Sequence, residues 1–141
     1  MTITYRIAQA VDVPKLVHLM EELGYSTSDV ALGEVISAIR QGHGEVFVAE
    51  SGGSAVGCIN AIIDVRLAEG KVGEIASLVV LENYRGRGVG KMLLEYAEHW
   101  LSTRVKSVRI RANTKRDDAH GFYAASGYTH IKDQRVFIKN V

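Results

Sequence analysis

The chain has 141 residues, 47% of them hydrophobic, and a formal net charge of +1 at pH 7, which suits one compact domain over residues 1–141 with its own core. The near-zero charge argues against recruitment by nucleic acid or an anionic membrane, and the sequence has no apolar run of roughly 18 residues, as a membrane span needs. The N-terminus lacks the regions of a signal peptide, the single cysteine excludes an internal disulfide, and no Cys/His spacing indicates zinc, so we expect a cytoplasmic protein without a metal.

In chain order, the first predicted elements are a strand and two helices. Residues 2–8 form the strand, and Asp12 is typical of the N-cap of a helix over 12–23. A second helix, capped by Ser28 or Asp29, carries apolar residues on one side and ends at Gly42.

The rest of the chain alternates between strand and helix patterns. A hairpin over 46–50 and 55–65 is followed by a strand over 71–81 and a helix over 88–103. The remaining predicted elements are a strand over 105–112, a short helix over 117–126 and one or two strands within 127–141. The predicted order is therefore β-α-α-β-β-β-α-β-α-β.

A glycine-rich turn joins the strand over 71–81 to the helix that follows it. Glycines let backbone N–H groups approach a ligand closely, and a helix N-terminus adds partial positive charge. Arg85, Arg87 and Lys91 supply full charges around the same turn. This combination predicts a cradle for a pyrophosphate or a similar polyanion.

Three phosphate-binding patterns compete for this turn. A P-loop is excluded because Arg85 replaces its first glycine and Met92 replaces its Mg²⁺-binding hydroxyl. A dinucleotide fingerprint is excluded by the glycine spacing and because no acidic residue ends the next strand. The third pattern, with Arg85, Gly88 and Gly90, resembles the acetyl-CoA pyrophosphate loop of the GNAT superfamily of N-acetyltransferases.

The resemblance implies an α/β (α+β) fold with a central mixed, mostly antiparallel sheet, splayed between its fourth and fifth strands and flanked by helices. The pantetheine arm of acetyl-CoA would fill the splay and bind main-chain groups of the fourth strand. The positions that the resemblance assigns to the donor are Leu78, Val79, Val80, Arg85, Gly86, Arg87, Gly88, Val89, Gly90, Lys91, Asn113 and Tyr123. Asn113 is also a residue type that simply forms turns.

A second motif, Asp118–Tyr128, is similar to the closing segment of the same superfamily. Gly127 suits the left-handed conformation that ends a helix. The resemblance makes Tyr123 the acid that protonates the departing CoA thiolate. A phenol of pKa ~10 and a thiol of pKa ~8.5 make that proton transfer reasonable over a short distance. The alternative is that Tyr123 only packs a helix on the sheet.

Glu74 is the second catalytic candidate, since its strand matches the family's fourth strand. Some members carry a glutamate there that takes a proton from the substrate amine, directly or through water, and an amine of pKa ~10 must lose a proton before it attacks. Partial burial would raise the pKa of this carboxyl toward a useful range. Other members use water chains without a dedicated base.

Residues 73–128 look most like aminoalkylphosphonate and related small-amine N-acetyltransferases, whereas the N-terminal helices match no signature of an acceptor. We expect transfer of an acetyl group from acetyl-CoA to a primary amine of a small molecule, without a covalent enzyme intermediate. The alternatives are a protein or peptide amine, or a non-catalytic CoA-binding regulatory domain. Dimers are common in the family, so a homodimer is allowed.

A nucleic-acid-binding module is a further alternative. It would rest on the strand with Lys106, Arg109 and Arg111, whose alternation predicts that the three cations share one solvated face. No aromatic residues alternate with them, and the net charge is nearly neutral. We therefore expect no nucleic-acid partner.

Overall fold

The computed structural model describes residues 2–141. The chain divides into two compact units, one that ends at Ile110 and one that comprises Arg111–Val141. The larger unit contains β1 (Thr4–Ile7), α1 (Val13–Glu22), α2 (Asp29–Gln41), β2 (Glu45–Ser51), β3 (Ser54–Arg66), β4 (Gly70–Val80), α3 (Val89–Ser102) and β5 (Val108–Ile110). The smaller unit contains α4 (Asp117–Ala125).

The five strands form one mixed sheet in the order β1-β2-β3-β4-β5. All neighbouring pairs are antiparallel except β4 and β5, which are parallel. The parallel pairing covers only three positions, from Gly73 opposite Val108 to Ile75 opposite Ile110, although β4 continues to Val80. The predicted mixed, mostly antiparallel sheet is therefore confirmed, and the pairing of β4 with β5 ends at Ile75.

Helix α3 packs closely against strands β2, β3 and β4. Its inward side chains Leu93, Leu94 and Leu101 are at most 1% exposed. Gly57 and Gly73 allow this approach, because a Cβ at either position would lie 3.2 and 3.1 Å from the nearest Leu93 and Leu101 carbons. A side chain at either glycine would push the helix away from the sheet.

Helices α1 and α2 contact each other, and they pack against β3 and β2, respectively. Leu16 and Leu19 of α1 and Ile36 of α2 join Val48 and Cys58 of the sheet in one buried cluster. The helix starts differ in how they are capped. Ser28 Oγ accepts a hydrogen bond from Ala31 N at 3.2 Å, so Ser28 rather than Asp29 is the cap of α2.

Asp12 occupies the N-cap position of α1, but its side chain makes no cap bond to that helix. The Asp12 carboxylate instead accepts hydrogen bonds from Gln9 N at 2.7 Å and from two guanidinium nitrogens of Arg6 at 2.7 and 2.9 Å. The prediction that the Asp12 side chain caps α1 is therefore wrong. A buried carboxylate needs a cationic partner, and Arg6 provides it. The Arg6 hydrogen bond, supported by Gln9 N, holds the pKa of Asp12 below its usual value despite burial.

The predictions for the fifth strand and for the strands after it need correction. Strand β5 begins at Val108 and not at 105, because Arg104 N and Val105 N both donate to Leu101 O and prolong the turn after α3. In the smaller unit, residues 129–141 contain no strand or helix, so the strands predicted within 127–141 are wrong. A strand needs a neighbouring ladder for its backbone, and this segment pairs with none in the described chain. Within residues 2–141, no helix combines the length and apolarity that crossing a membrane requires.

Candidate functional site

One side-chain hydrogen bond and two left-handed glycines define the shape of the segment between β4 and α3. Arg85 Nε donates to Val80 O at 2.9 Å, and this bond ties the loop back to the end of β4. Gly86 and Gly88 have φ values of +74° and +79°, in the left-handed region that other residues rarely adopt. A Cβ at either glycine would meet no atom within 4 Å, so the backbone conformation, and not space, requires glycine there.

The N-terminus of α3 faces this loop without a side-chain cap. Gly88 is the N-cap residue, and the first helical bond is Met92 N to Gly88 O at 3.0 Å. The N–H groups of residues 89–91 therefore precede the helical ladder, and together with the helix dipole they attract an anion.

Three cations flank these N–H groups along the chain. Arg85, Arg87 and Lys91 are all exposed, and the Arg87 guanidinium lies 5.8 Å from the centre of the Tyr84 ring. Two left-handed glycines, an uncapped helix N-terminus and three cations form an arrangement that fits a pyrophosphate.

A β-bulge distorts β4 just before its last residues. The register places Cys58 opposite Val79 and Asn60 opposite Ala76, so Ser77 and Leu78 together face Ile59. Ser77 has a φ of +53°, which is uncommon for a residue other than glycine. The bulge redirects the strand end, whose residues 78–80 extend beyond the part of β4 that pairs with β5.

Glu74 lies in the paired part of β4 and belongs to an ionic cluster. Arg109 Nε donates to Glu74 Oε1 at 2.8 Å. The side chain of Arg109 is 15% exposed and that of Glu74 is 16% exposed. The same guanidinium also pairs with Glu69 Oε2 at 2.9 Å and with Asp64. The prediction that Arg109 lies on a solvated face is therefore wrong, since three carboxylates surround it.

Tyr123 lies in α4 of the smaller unit, in a cluster of aromatic rings. Its ring centre is 5.5 Å from that of Phe122 and 6.3 Å from that of Tyr128, both edge to face. Gly127 has a φ of +95°, which confirms the predicted left-handed end of the helix, and Tyr128 N donates to Tyr123 O at 3.0 Å. Burial raises the pKa of the Tyr123 phenol, with an opposing effect of Arg116, so the phenol is protonated at neutral pH.

Asn113, also in the smaller unit, organises the turn before α4. Its Oδ1 accepts a hydrogen bond from Lys115 N at 2.9 Å, and its backbone oxygen lies 2.7 Å from His120 Nε2. Because a carbonyl only accepts, His120 Nε2 donates in this contact. No local pattern in the sequence indicates this pairing of Asn113 with His120.

A cavity of about 120 Å³ lies in the larger unit, between α1, α2 and the sheet. Most of its wall is aliphatic, and its polar side chains are Asn60 and Ser77. Asn60 Nδ2 donates to Glu45 O at 3.0 Å and to Ala61 O at 3.3 Å. Neither residue was predicted to belong to a site, although Asn60 is a polar interruption in an otherwise apolar strand.

Cys58 also borders this cavity and is 2% exposed. Its thiol lies 3.7 Å from Ser77 O, and burial raises the pKa of the thiol to about 12. A thiol of that kind is not a nucleophile at neutral pH.

The proposed site residues fall in both units. Glu74, the strand end 78–80 and the loop to Lys91 lie in the larger unit, whereas Asn113 and Tyr123 lie in the smaller one.

Comparison with known proteins identifies a shared family. Residues 13–128 match the family described as "Acetyltransferase (GNAT) family". An uncharacterised N-acetyltransferase of Chlorobaculum tepidum is 31% identical over 131 residues, which cover 92% of this chain and 77% of that protein.

Two further proteins extend the comparison. The aminoalkylphosphonate N-acetyltransferase of Salmonella typhimurium is 37% identical over 78 residues, covering 54% of this chain and 51% of that protein. The solved structure of glucosamine-6-phosphate N-acetyltransferase from Arabidopsis thaliana superposes with a TM-score of 0.85 and 21% identity, covering 99% of this chain and 100% of that one.

Proposed function

The chain belongs to the acetyltransferase (GNAT) family and is an N-acetyltransferase that uses acetyl-CoA, and from this premise we propose that it acetylates a primary amine of a small molecule. The observation that carries the proposal is the loop between β4 and α3. Its left-handed Gly86 and Gly88, the uncapped helix start and the three exposed cations suit the pyrophosphate of the donor.

In this proposal the donor is held from two sides. Arg85, Arg87, Lys91 and the N–H groups of residues 86–90 bind the pyrophosphate. The backbone of Leu78, Val79 and Val80 binds the pantetheine amides, because this part of β4 extends beyond its pairing with β5. Asn113 contributes a side-chain contact to the donor.

Two side chains move protons in the proposed reaction. Acetyl-CoA supplies an activated acetyl group when it is bound. Glu74 receives the proton that the acceptor ammonium must lose, directly or through water, and Arg109 fixes the position of its carboxylate. Main-chain N–H near Val80 stabilises the developing oxyanion, and Tyr123, protonated at neutral pH, gives its proton to the sulfur.

The test is thiol release from acetyl-CoA with a panel of primary amines: aminoalkylphosphonates, polyamines, amino acids, aminoglycosides, simple alkylamines and lysine peptides. Turnover with a small amine supports the proposal, and a strong preference for lysine peptides would favour a protein acceptor instead. If no amine is acetylated while acetyl-CoA still raises the melting temperature, the assignment of the donor site stands and the acceptor lies outside this panel.

Other expectations remain predictions about the whole protein. They are that residues 1–141 form a single catalytic domain, that the protein works in the cytoplasm, that it has no nucleic-acid partner and that it forms a homodimer. Size-exclusion chromatography with light scattering tests the last of these directly.

A further inference from the structure

The cavity between α1, α2 and the sheet has a wall that is almost entirely hydrocarbon. Leu16 and Met20 of α1, together with Leu32, Val35, Ile36 and Ile39 of α2, cover one side. Among the described residues, those that line the cavity include no Asp, Glu, Lys, Arg or His. A charged substituent inside it would lose its hydration and gain no ionic partner.

The two polar side chains of the cavity lie together on the strands. Asn60 is on β3, and Ser77 is at the bulge of β4, one pair away from it. Because Asn60 Nδ2 donates to two backbone oxygens, its Oδ1 is the atom that can accept a hydrogen bond from a ligand. Ser77 Oγ can accept a second one. This end of the cavity therefore suits an N–H donor.

The polar end also lies next to the strand segment assigned to the donor. Ser77 directly precedes Leu78, the first of the three residues whose backbone is proposed to bind the pantetheine arm. An amine held by Asn60 and Ser77 would thus lie beside the segment that is proposed to hold the pantetheine arm, as attack on the thioester requires.

We propose that the acceptor is a primary amine with a compact, uncharged hydrocarbon substituent, which fills this cavity while its nitrogen lies between Asn60 and Ser77. The inference rests on the proposed function of the same site. The cavity has a volume of about 120 Å³. Because a cavity of ~150 Å³ admits benzene, this slightly smaller one has room for a substituent of roughly four to six carbon atoms. In the reaction the nitrogen forms a bond to the acetyl carbon, the carbon–sulfur bond breaks, the amine proton leaves through Glu74 or water, and Tyr123 protonates the sulfur.

The first experiment compares acceptors that differ in charge at similar size. Thiol release is measured with 3-methylbutylamine, 1,4-diaminobutane and 2-aminoethylphosphonate, all at saturating acetyl-CoA. We expect a kcat/KM at least tenfold higher for 3-methylbutylamine. An equal or higher value for the diamine or the phosphonate would overturn the assignment of the substrate class.

The second experiment fills the cavity from a position that tolerates substitution. Val35 lines the cavity and is 50% exposed, whereas Val30, on the same helix, is 75% exposed and lies outside the lining. Val35→Phe should raise the KM for 3-methylbutylamine at least tenfold with little change in kcat, and Val30→Phe should leave both unchanged. The same KM in both variants would place the acceptor elsewhere.

A binding measurement separates this inference from the proposed function. If no amine is acetylated and acetyl-CoA gives no thermal shift, the proposed function fails. Binding of 3-methylbutylamine alone, followed by saturation-transfer NMR, still decides the cavity. Binding to the unaltered protein that Val35→Phe abolishes supports a hydrocarbon site, and no binding at millimolar concentration overturns it.

Discussion

Tyr123 is a phenol whose surroundings favour its protonated form. Burial among Phe122 and Tyr128 raises its pKa, so it keeps a proton to donate at neutral pH. We predict that Tyr123→Phe lowers kcat tenfold or more with little change in affinity for acetyl-CoA, because only the proton is removed. Steady-state kinetics together with calorimetry measure both quantities.

Tyr128→Phe is the matched control for this substitution, since it removes a hydroxyl from the neighbouring ring and preserves the aromatic cluster. It should retain near-normal turnover. Unchanged turnover in Tyr123→Phe would remove this tyrosine from the mechanism.

Asp12 makes a contribution to stability that depends on pH. Its carboxylate is 4% exposed and accepts bonds from Arg6 and from Gln9 N, which lower its pKa relative to the unfolded chain. The stabilisation is therefore present above the unfolded value near 4 and is lost as the pH falls through the folded value. Asp12→Asn should reduce the free energy of unfolding at pH 7 by about 2 kcal/mol, since Arg6 keeps its pair with Glu50.

Urea unfolding between pH 2 and pH 7 measures this difference, which should shrink as the solution becomes acidic. Asp133→Asn is the control, because the Asp133 side chain is 68% exposed. A gap between the parent and Asp12→Asn that stays constant across this pH range would contradict the assignment.

At the scale of elements, the loop before α3 depends on backbone conformation more than on side-chain size. Gly88 has a φ of +79° and open space around its Cα, so an added methyl group strains the backbone without a collision. We predict that Gly88→Ala costs about 1–2 kcal/mol of stability and weakens acetyl-CoA binding several-fold, because the N–H groups no longer converge.

Gly33→Ala is a suitable control because Gly33 lies inside α2, where a Cβ also meets nothing within 4 Å. This variant should be more stable by about 0.5–1 kcal/mol and bind acetyl-CoA normally. Calorimetry on both variants, with Arg85→Ala as a charge variant of the same loop, tests the assignment. Normal affinity in Gly88→Ala and Arg85→Ala would refute it.

At the scale of the whole molecule, the sheet of the larger unit should be the part most strongly protected against hydrogen exchange. Val48, Ala49, Ile59 and Ala61 are fully buried on β2 and β3, whereas Val136, Phe137 and Ile138 of the smaller unit are at least 87% exposed. We predict that amide hydrogens of β2 and β3 exchange most slowly and those of residues 129–141 fastest. Hydrogen–deuterium exchange with mass spectrometry measures this directly, and strong protection of 129–141 would show that this segment is paired in solution.

The sequence predicts most of this architecture because its signals are local. Apolar periodicity locates the helices and strands, and the glycines and cations of the proposed binding loop between β4 and α3 lie within one short segment. Gly127 could be predicted for the same reason, since a helix end needs a left-handed residue at one position.

Contacts between residues that are far apart in the chain could not be predicted from the sequence. Arg109 meets Glu74 and Asp64 across 35 and 45 residues, and only the strand order brings those carboxylates beside it. The cavity depends likewise on helices and strands that are far apart in the chain. The strands expected within 127–141 are wrong because apolar residues such as Val136, Phe137 and Ile138 favour an extended chain but do not determine a partner strand for it.

The buried Cys58 makes the protein convenient for its own assay. It is the sole cysteine of the sequence, and burial raises the pKa of its thiol, so hardly any of it is thiolate at pH 8. Aromatic disulfide dyes need an accessible thiolate, so the enzyme itself should give almost no colour. Released CoA can then be followed continuously and without a correction for the protein, even when the enzyme is in large amount and the acceptor is poor.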